Sequence, residues 1–245
     1  MNGSVRHTTL ITSPNPAKMS PLEGAIMDAC NQMHEAVAKS DASAIKVLKG
    51  HLAELLDRYE ASGAENHPQP KWAVPHHRAL AASAAEDLHQ SLLYEEIALE
   101  HAVTNVQKEI SLGNLAERSM RTGRIEDAIE YFFRARDVAP RSVPILLTGA
   151  QALFVAGHKT ESDGIFRSLL GMNEQFASGT ELTAYLEYET RLQVMRRELP
   201  SLDSMLKKWD VMRREGGGGT NGDGDGAGGH PPTPPARLHL EVHCA

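Results

Sequence analysis

Residues 110–140 read ISLGNLAERSMRTGRIEDAIEYFFRARDVAP, and the rest of the chain can be placed from the pattern they carry. Two segments of helical periodicity flank Thr122–Gly123–Arg124, a link short enough to make them antiparallel neighbours. Ala116 and Ala128 are expected at the crossing of the two helices, where a larger side chain would push the axes apart. Gly123 is expected to take the left-handed conformation that closes the first helix. Phe132 would then fill the space between this hairpin and the next, and Pro140 would stop the second helix.

The pattern returns at an offset of 34 residues: Leu112 pairs with Leu146, Ala116 with Ala150, Gly123 with Gly157, and Phe132 with Phe166. The second unit departs from the first at three places, where Ser162, Leu169 and Glu174 replace the Ala128 and Ala135 methyls and the terminating proline. Leu112, Leu115, Ala116, Gly123, Ala128, Phe132, Ala135 and Pro140, in that order, resemble the tetratricopeptide repeat. The resemblance covers 109–176, and 75–108 as a degenerate helix pair with Tyr94 and Ala98 near the core places. It implies an all-α protein whose antiparallel hairpins stack as a right-handed superhelix, and a non-enzymatic scaffold that binds a peptide or helix of a protein partner in its concave groove.

In that family the first helix of each repeat lines the groove. The resemblance therefore places Gly113, Asn114, Glu117 and Arg121 of one unit, and Leu147, Thr148, Gln151 and Phe154 of the next, on the partner-binding face. Leu147 and Phe154 have two readings: apolar anchors for a partner, or packing against neighbouring helices. The clamp by which co-chaperone members hold a C-terminal carboxylate is not matched. Glu117 and Gln151 stand where its Asn would be, and Gly113 or Leu147 where its Lys would be.

On the N-terminal side, Leu22, Ile26, Ala29, Met33 and Val37 form one helical stripe. Ser40 and Asp41 break it, and a second helix carries Ile45 to Tyr59. Residues 61–74, with Gly63, Pro68 and Pro70, read as a loop. Pro75 is expected in the first turn of a third helix running to about Asp87. A fourth follows with Leu92, Leu93, Ile97, Leu99 and Val103.

On the C-terminal side, Ser178 and Glu181 have capping-box spacing and open a helix through Leu182, Leu186, Leu192 and Met195, which Pro200 ends. A last helix from Ser201 buries Leu202, Met205, Leu206, Trp209 and Met212 and caps the stack, with Arg213 and Arg214 at the negative end of its dipole. The domains read as a leader over 1–20, a hairpin over 21–60, a repeat domain over 75–215, and a flexible tail over 216–245. Within that tail, Leu238–Val242 alternates as a strand would.

A net formal charge of −7 disfavours nucleic acid, and no apolar run is long enough to cross a bilayer. Two cysteines, Cys30 and Cys244, are too few for a disulfide framework and fit a cytoplasmic setting. An acid-free leader holding Arg6, His7 and Lys18 keeps organelle targeting open. Among the twelve histidines, His76, His77, His89 and His101 read as surface or boundary residues. Glu95 and Glu96 lie at the wrong spacing from His101 for a carboxylate-bridged metal pair, and HExxH is absent. His239, Glu241, His243 and Cys244 share a tail with nothing to hold them as ligands. Neither a cofactor fingerprint nor a catalytic constellation is found. Two other functions remain in play: an export or assembly chaperone that sheathes a client, and a metal-dependent helical enzyme.

Overall fold

The computed structural model describes residues 19–177, 179–188 and 191–216. The described residues form eleven α-helices and two 3-10 turns, with no strand among them. The helices are α1 (Pro21–Ala38), α2 (Ala42–Ala61), α3 (Pro70–Ala84), α4 (Leu88–Glu100), α5 (Asn105–Arg121) and α6 (Ile125–Val138). The remainder are α7 (Val143–Val155), α8 (Lys159–Leu170), α9 (Glu181–Tyr188), α10 (Arg191–Met195) and α11 (Pro200–Gly216). None is long and apolar enough to cross a membrane.

The first eight helices form four hairpins, and all four turn in the same way. The N–H groups of Asp41, Asp87, Arg124 and His158 each donate to the carbonyl five residues back. Those of Ser40, Glu86, Gly123 and Gly157, the residues just before, donate to the carbonyl three residues back. This is the Schellman closure, which satisfies carbonyls that a helix end would leave open. It requires a left-handed residue, and Gly123 (φ +77°) and Gly157 (φ +87°) supply it without a Cβ clash. Ser40 (φ +55°) and Glu86 (φ +59°) adopt the same conformation at a cost of roughly 1 kcal/mol each.

The repeat extends one hairpin further toward the N-terminus than the 34-residue offset reaches. Ser91, Ala128 and Ser162 occupy equivalent places on α4, α6 and α8, each twelve residues after Ala79, Ala116 and Ala150. Ser91 and Ser162 are fully buried, and each hydroxyl donates to the facing carbonyl, Ala79 O and Ala150 O, at 2.7 Å. A serine here adds a hydrogen bond and keeps the close approach, which explains why Ser162 departs from alanine.

Phe132 is fully buried and lies against α7, where a Cβ on Gly149 would stand 2.1 Å from its ring. The expected gap-filling aromatic thus has its own notch. Ala116 and Ala128 are buried at the α5–α6 contact. Two apolar cores divide the molecule and meet on α5, where Ile110 belongs to the N-terminal one and Leu112 to the C-terminal one. At the far end α11 covers α8, fixed by Asp163, which accepts from the Ser201 N–H and hydroxyl at 2.7 Å each.

Several boundaries differ from those read in the sequence. The third helix starts at Pro70, so Pro75 lies inside α3 and not in its first turn. The packing of Trp72 and Ala73, both buried, holds the residues before Pro75 in the helix. The fourth helix ends at Glu100 and leaves Val103 outside it, exposed, because Thr104 and Gln107 form a capping box that opens α5. In place of the single helix expected through Leu182 and Met195, the described residues give two short ones, α9 and α10. Pro200 opens α11 instead of ending the helix before it. Ser178 of the expected capping box lies outside the described residues. So do the leader through residue 18, the glycine-rich stretch and the His239, Glu241, His243 and Cys244 tail from residue 217 onward.

Candidate partner-binding cleft

A cleft opens between α5 and α7, with α9 and α10 along its far side. Glu109, Gly113, Asn114 and Glu117 come from α5, spaced so that one helical face carries them all. Facing them on α7 are Ile145, Thr148 and Gln151. Tyr185 and Arg191 complete the lining from the other side. The floor is tight: a Cβ on Gly113 would stand 2.7 Å from Ile145 Cδ1, so any side chain there would displace the tip of Ile145.

The polar walls are mostly out of bulk water. Asn114, Glu117 and Thr148 are each 8% exposed and Gln151 3%. Asn114 is satisfied, its Nδ2 donating to Glu95 Oε2 at 3.2 Å. Glu117 Oε1 and Gln151 Oε1 accept no hydrogen bond, although Glu117 Oε1 lies 3.7 Å from Arg121 Nε. Buried acceptors without donors are rare in folded proteins and each costs about 1–3 kcal/mol. Beside Glu109, at the start of α9, burial and then the Glu109 carboxylate push Glu181 up to about 7.

Of the residues read from sequence as partner-binding, Asn114, Glu117 and Gln151 line this cleft, together with Gly113 and Thr148. Arg121 sits one turn beyond, its Nη2 donating to both carboxylate oxygens of Glu86 at 2.9 and 2.8 Å. Leu147 is not on the groove face. It is fully buried in the C-terminal core, so the packing reading holds and the anchor reading falls. Phe154 is half-buried against the same core, with the Lys159 ammonium 5.8 Å over its ring, and does not line the cleft. The reason is that α7 is buried on every side from Val143 to Leu153, so it lacks the polar stripe that would mark its inner face.

Behind the cleft lies a buried charged network. His76 Nδ1 donates to Glu95 Oε1 at 3.0 Å, and Arg118 Nη1 donates to Glu95 Oε2 at 2.5 Å. Trp72 stacks on His76 with ring centroids 4.6 Å apart and donates its indole N–H to Ser111 Oγ. Burial alone would raise the Glu95 pKa, but His76 and Arg118 outweigh it and hold it down at about 2. His77, also buried, donates from Nδ1 to the Ala73 carbonyl. Burial, then the neighbouring His76, lower its pKa to about 4. His76 and His77 are therefore interior residues, not the surface or boundary ones read from sequence. The sequence does hold a signal: Leu92, Glu95 and Ala98 fall on one stripe of α4, as Ser111, Leu115 and Arg118 do on α5. A charge on an apolar stripe announces a buried partner.

Among the described residues no three His, Cys, Asp or Glu side chains come together as metal ligands. No family model, curated protein or solved structure matches the chain.

Proposed function

We propose that the chain is a non-enzymatic, cytoplasmic interaction scaffold of the tetratricopeptide-repeat kind, which takes a peptide segment of a protein partner between α5 and α7. The observation that carries this reading is the pair of buried acceptors, Glu117 Oε1 and Gln151 Oε1, on residues that line the cleft from facing helices, neither of which accepts a hydrogen bond. Folding leaves Gln151 Oε1 without a hydrogen bond and Glu117 Oε1 with only the longer ion pair to Arg121, and a ligand with hydrogen-bond donors would satisfy both. The four equivalent hairpins support it further, because stacked hairpins present the inner helices side by side as one continuous surface.

The test is affinity capture with the full chain and with Gln151→Arg, which fills the cleft. A partner retained by the natural chain and lost by the variant, with both giving the same helical circular dichroism and melting point, supports the reading. Equal capture of every partner by the two proteins would overturn it.

A further inference from the structure

The scaffold reading leaves open what the partner's segment must offer, and the chemistry of the cleft narrows this. We infer that the α5–α7 cleft is a receptor for a cationic side chain, arginine or lysine, in a peptide of the partner; this rests on the scaffold reading above.

The unsatisfied atoms in the cleft are acceptors. Glu117 Oε1 and Gln151 Oε1, on facing helices, are both buried and accept no hydrogen bond. Asn114, the donor on the same face, is already committed to Glu95. A ligand must therefore bring N–H groups, and an acidic or carbonyl-rich segment would meet like chemistry. Charge points the same way. Glu109 and Glu117 both line the cleft, and Glu181 stands next to Glu109. Burial, and then the Glu109 carboxylate, act on Glu181, so a cation near Glu109 would ease the repulsion between the two carboxyl groups.

A guanidinium offers a fork of five N–H donors and lysine three from a compact charge, so either supplies the chemistry these acceptors lack. The chain itself brings one guanidinium to the cleft, since Arg191 of α10 stands in the lining with Glu109 and Glu117. A metal ion is the less suitable cation, for the described residues hold no cluster of three ligating side chains.

The experiment is selection of phage-displayed random dodecapeptides on the biotinylated full chain, with parallel selections on Gln151→Arg and on the isosteric Glu117→Gln. The expected result is a set of peptides bound by the natural chain and lost in both variants, each holding an arginine or lysine. Replacing that residue by citrulline or norleucine should weaken binding at least tenfold. Peptides that depend on the cleft yet are neutral or acidic, or that survive the replacement, would overturn this inference and leave the scaffold reading standing. If no selected peptide depends on the cleft, the scaffold reading fails and this inference with it. Glu117→Gln keeps the test decisive should Gln151→Arg fail to fold, because it changes charge without changing shape.

Discussion

Nδ1 of His76 lies 3.0 Å from Oε1 of Glu95, with 4% of one residue and none of the other exposed to solvent. A carboxylate in that position is tolerable only because Arg118, His76 and Asn114 surround it. Removing it strands the Arg118 guanidinium, whose Nε and Nη2 already lack partners. Glu95→Leu is therefore expected to cost about 3–5 kcal/mol in urea unfolding. Adding Arg118→Met should recover most of that loss, since the pair then becomes apolar; a double variant as unstable as the single would contradict this account.

The same region sets an acid limit on stability. Glu95, held down at about 2, contributes stability that is fully present above its unfolded pKa near 4.5 and is lost as pH falls toward 2. His77, lowered to about 4, stays neutral in the fold while the unfolded chain takes up a proton below about 6.5. Stability should thus fall from pH 6.5 to 4 on account of His77, and further below 4.5 on account of Glu95. His77→Phe is expected to flatten the upper part of that decline. Urea midpoints at about pH 7.5, 6 and 5 check it.

Glu181 acts in the opposite sense. Its folded pKa, raised to about 7, makes ionisation easier in the unfolded chain, so stability falls as pH rises from about 4.5 to 7. Glu181→Gln should remove this slope. A variant with the natural chain's pH profile over that interval would show that the carboxyl is not held as described.

The notch at Gly149 gives a steric prediction. Gly149→Ala drives a methyl into the Phe132 ring and is expected to cost about 1–3 kcal/mol, despite the better helix propensity of alanine. Phe132→Leu in the same chain should lessen the penalty, so a double-mutant cycle is expected to show coupling of about 1 kcal/mol or more.

Backbone strain predicts gains. Ser40→Gly relieves a left-handed serine and should add roughly 0.5–1 kcal/mol. Pro75→Ala restores an N–H inside α3 and should add about 1–2 kcal/mol, net of greater freedom in the unfolded chain. Thermal melts of each variant check both directions.

The hairpins are legible in the sequence because their marks are local. Ala116, Ala128, Gly123 and Gly157 each satisfy a steric demand set by neighbours a few residues away. What escapes is what distant segments decide. Gly149 carries no mark of its own, and its need for bareness comes from Phe132 on another helix. Glu95 and Arg118 sit on buried stripes of their own helices, but that each is the other's partner emerges only when α4 and α5 are laid together. Leu147 cannot be assigned to a face from its spacing because α7 is apolar all round, so periodicity has no contrast to read there. Pro75 misleads because tertiary packing of Trp72 and Ala73 overrides the local preference for a helix start.

Twelve residues separate Ala79 from Ser91, Ala116 from Ala128 and Ala150 from Ser162, and this constant spacing governs how the chain tolerates a change of length. Residues added between Glu100 and Asn105, or between Val138 and Val143, lengthen a connection and leave every facing pair in place. One residue added to α5 after Ala116, or to α7 after Ala150, turns the small side chain about 100° away from its mate unless the tight closure itself gives way. Growth and splicing of this molecule are therefore confined to the seams that separate hairpins.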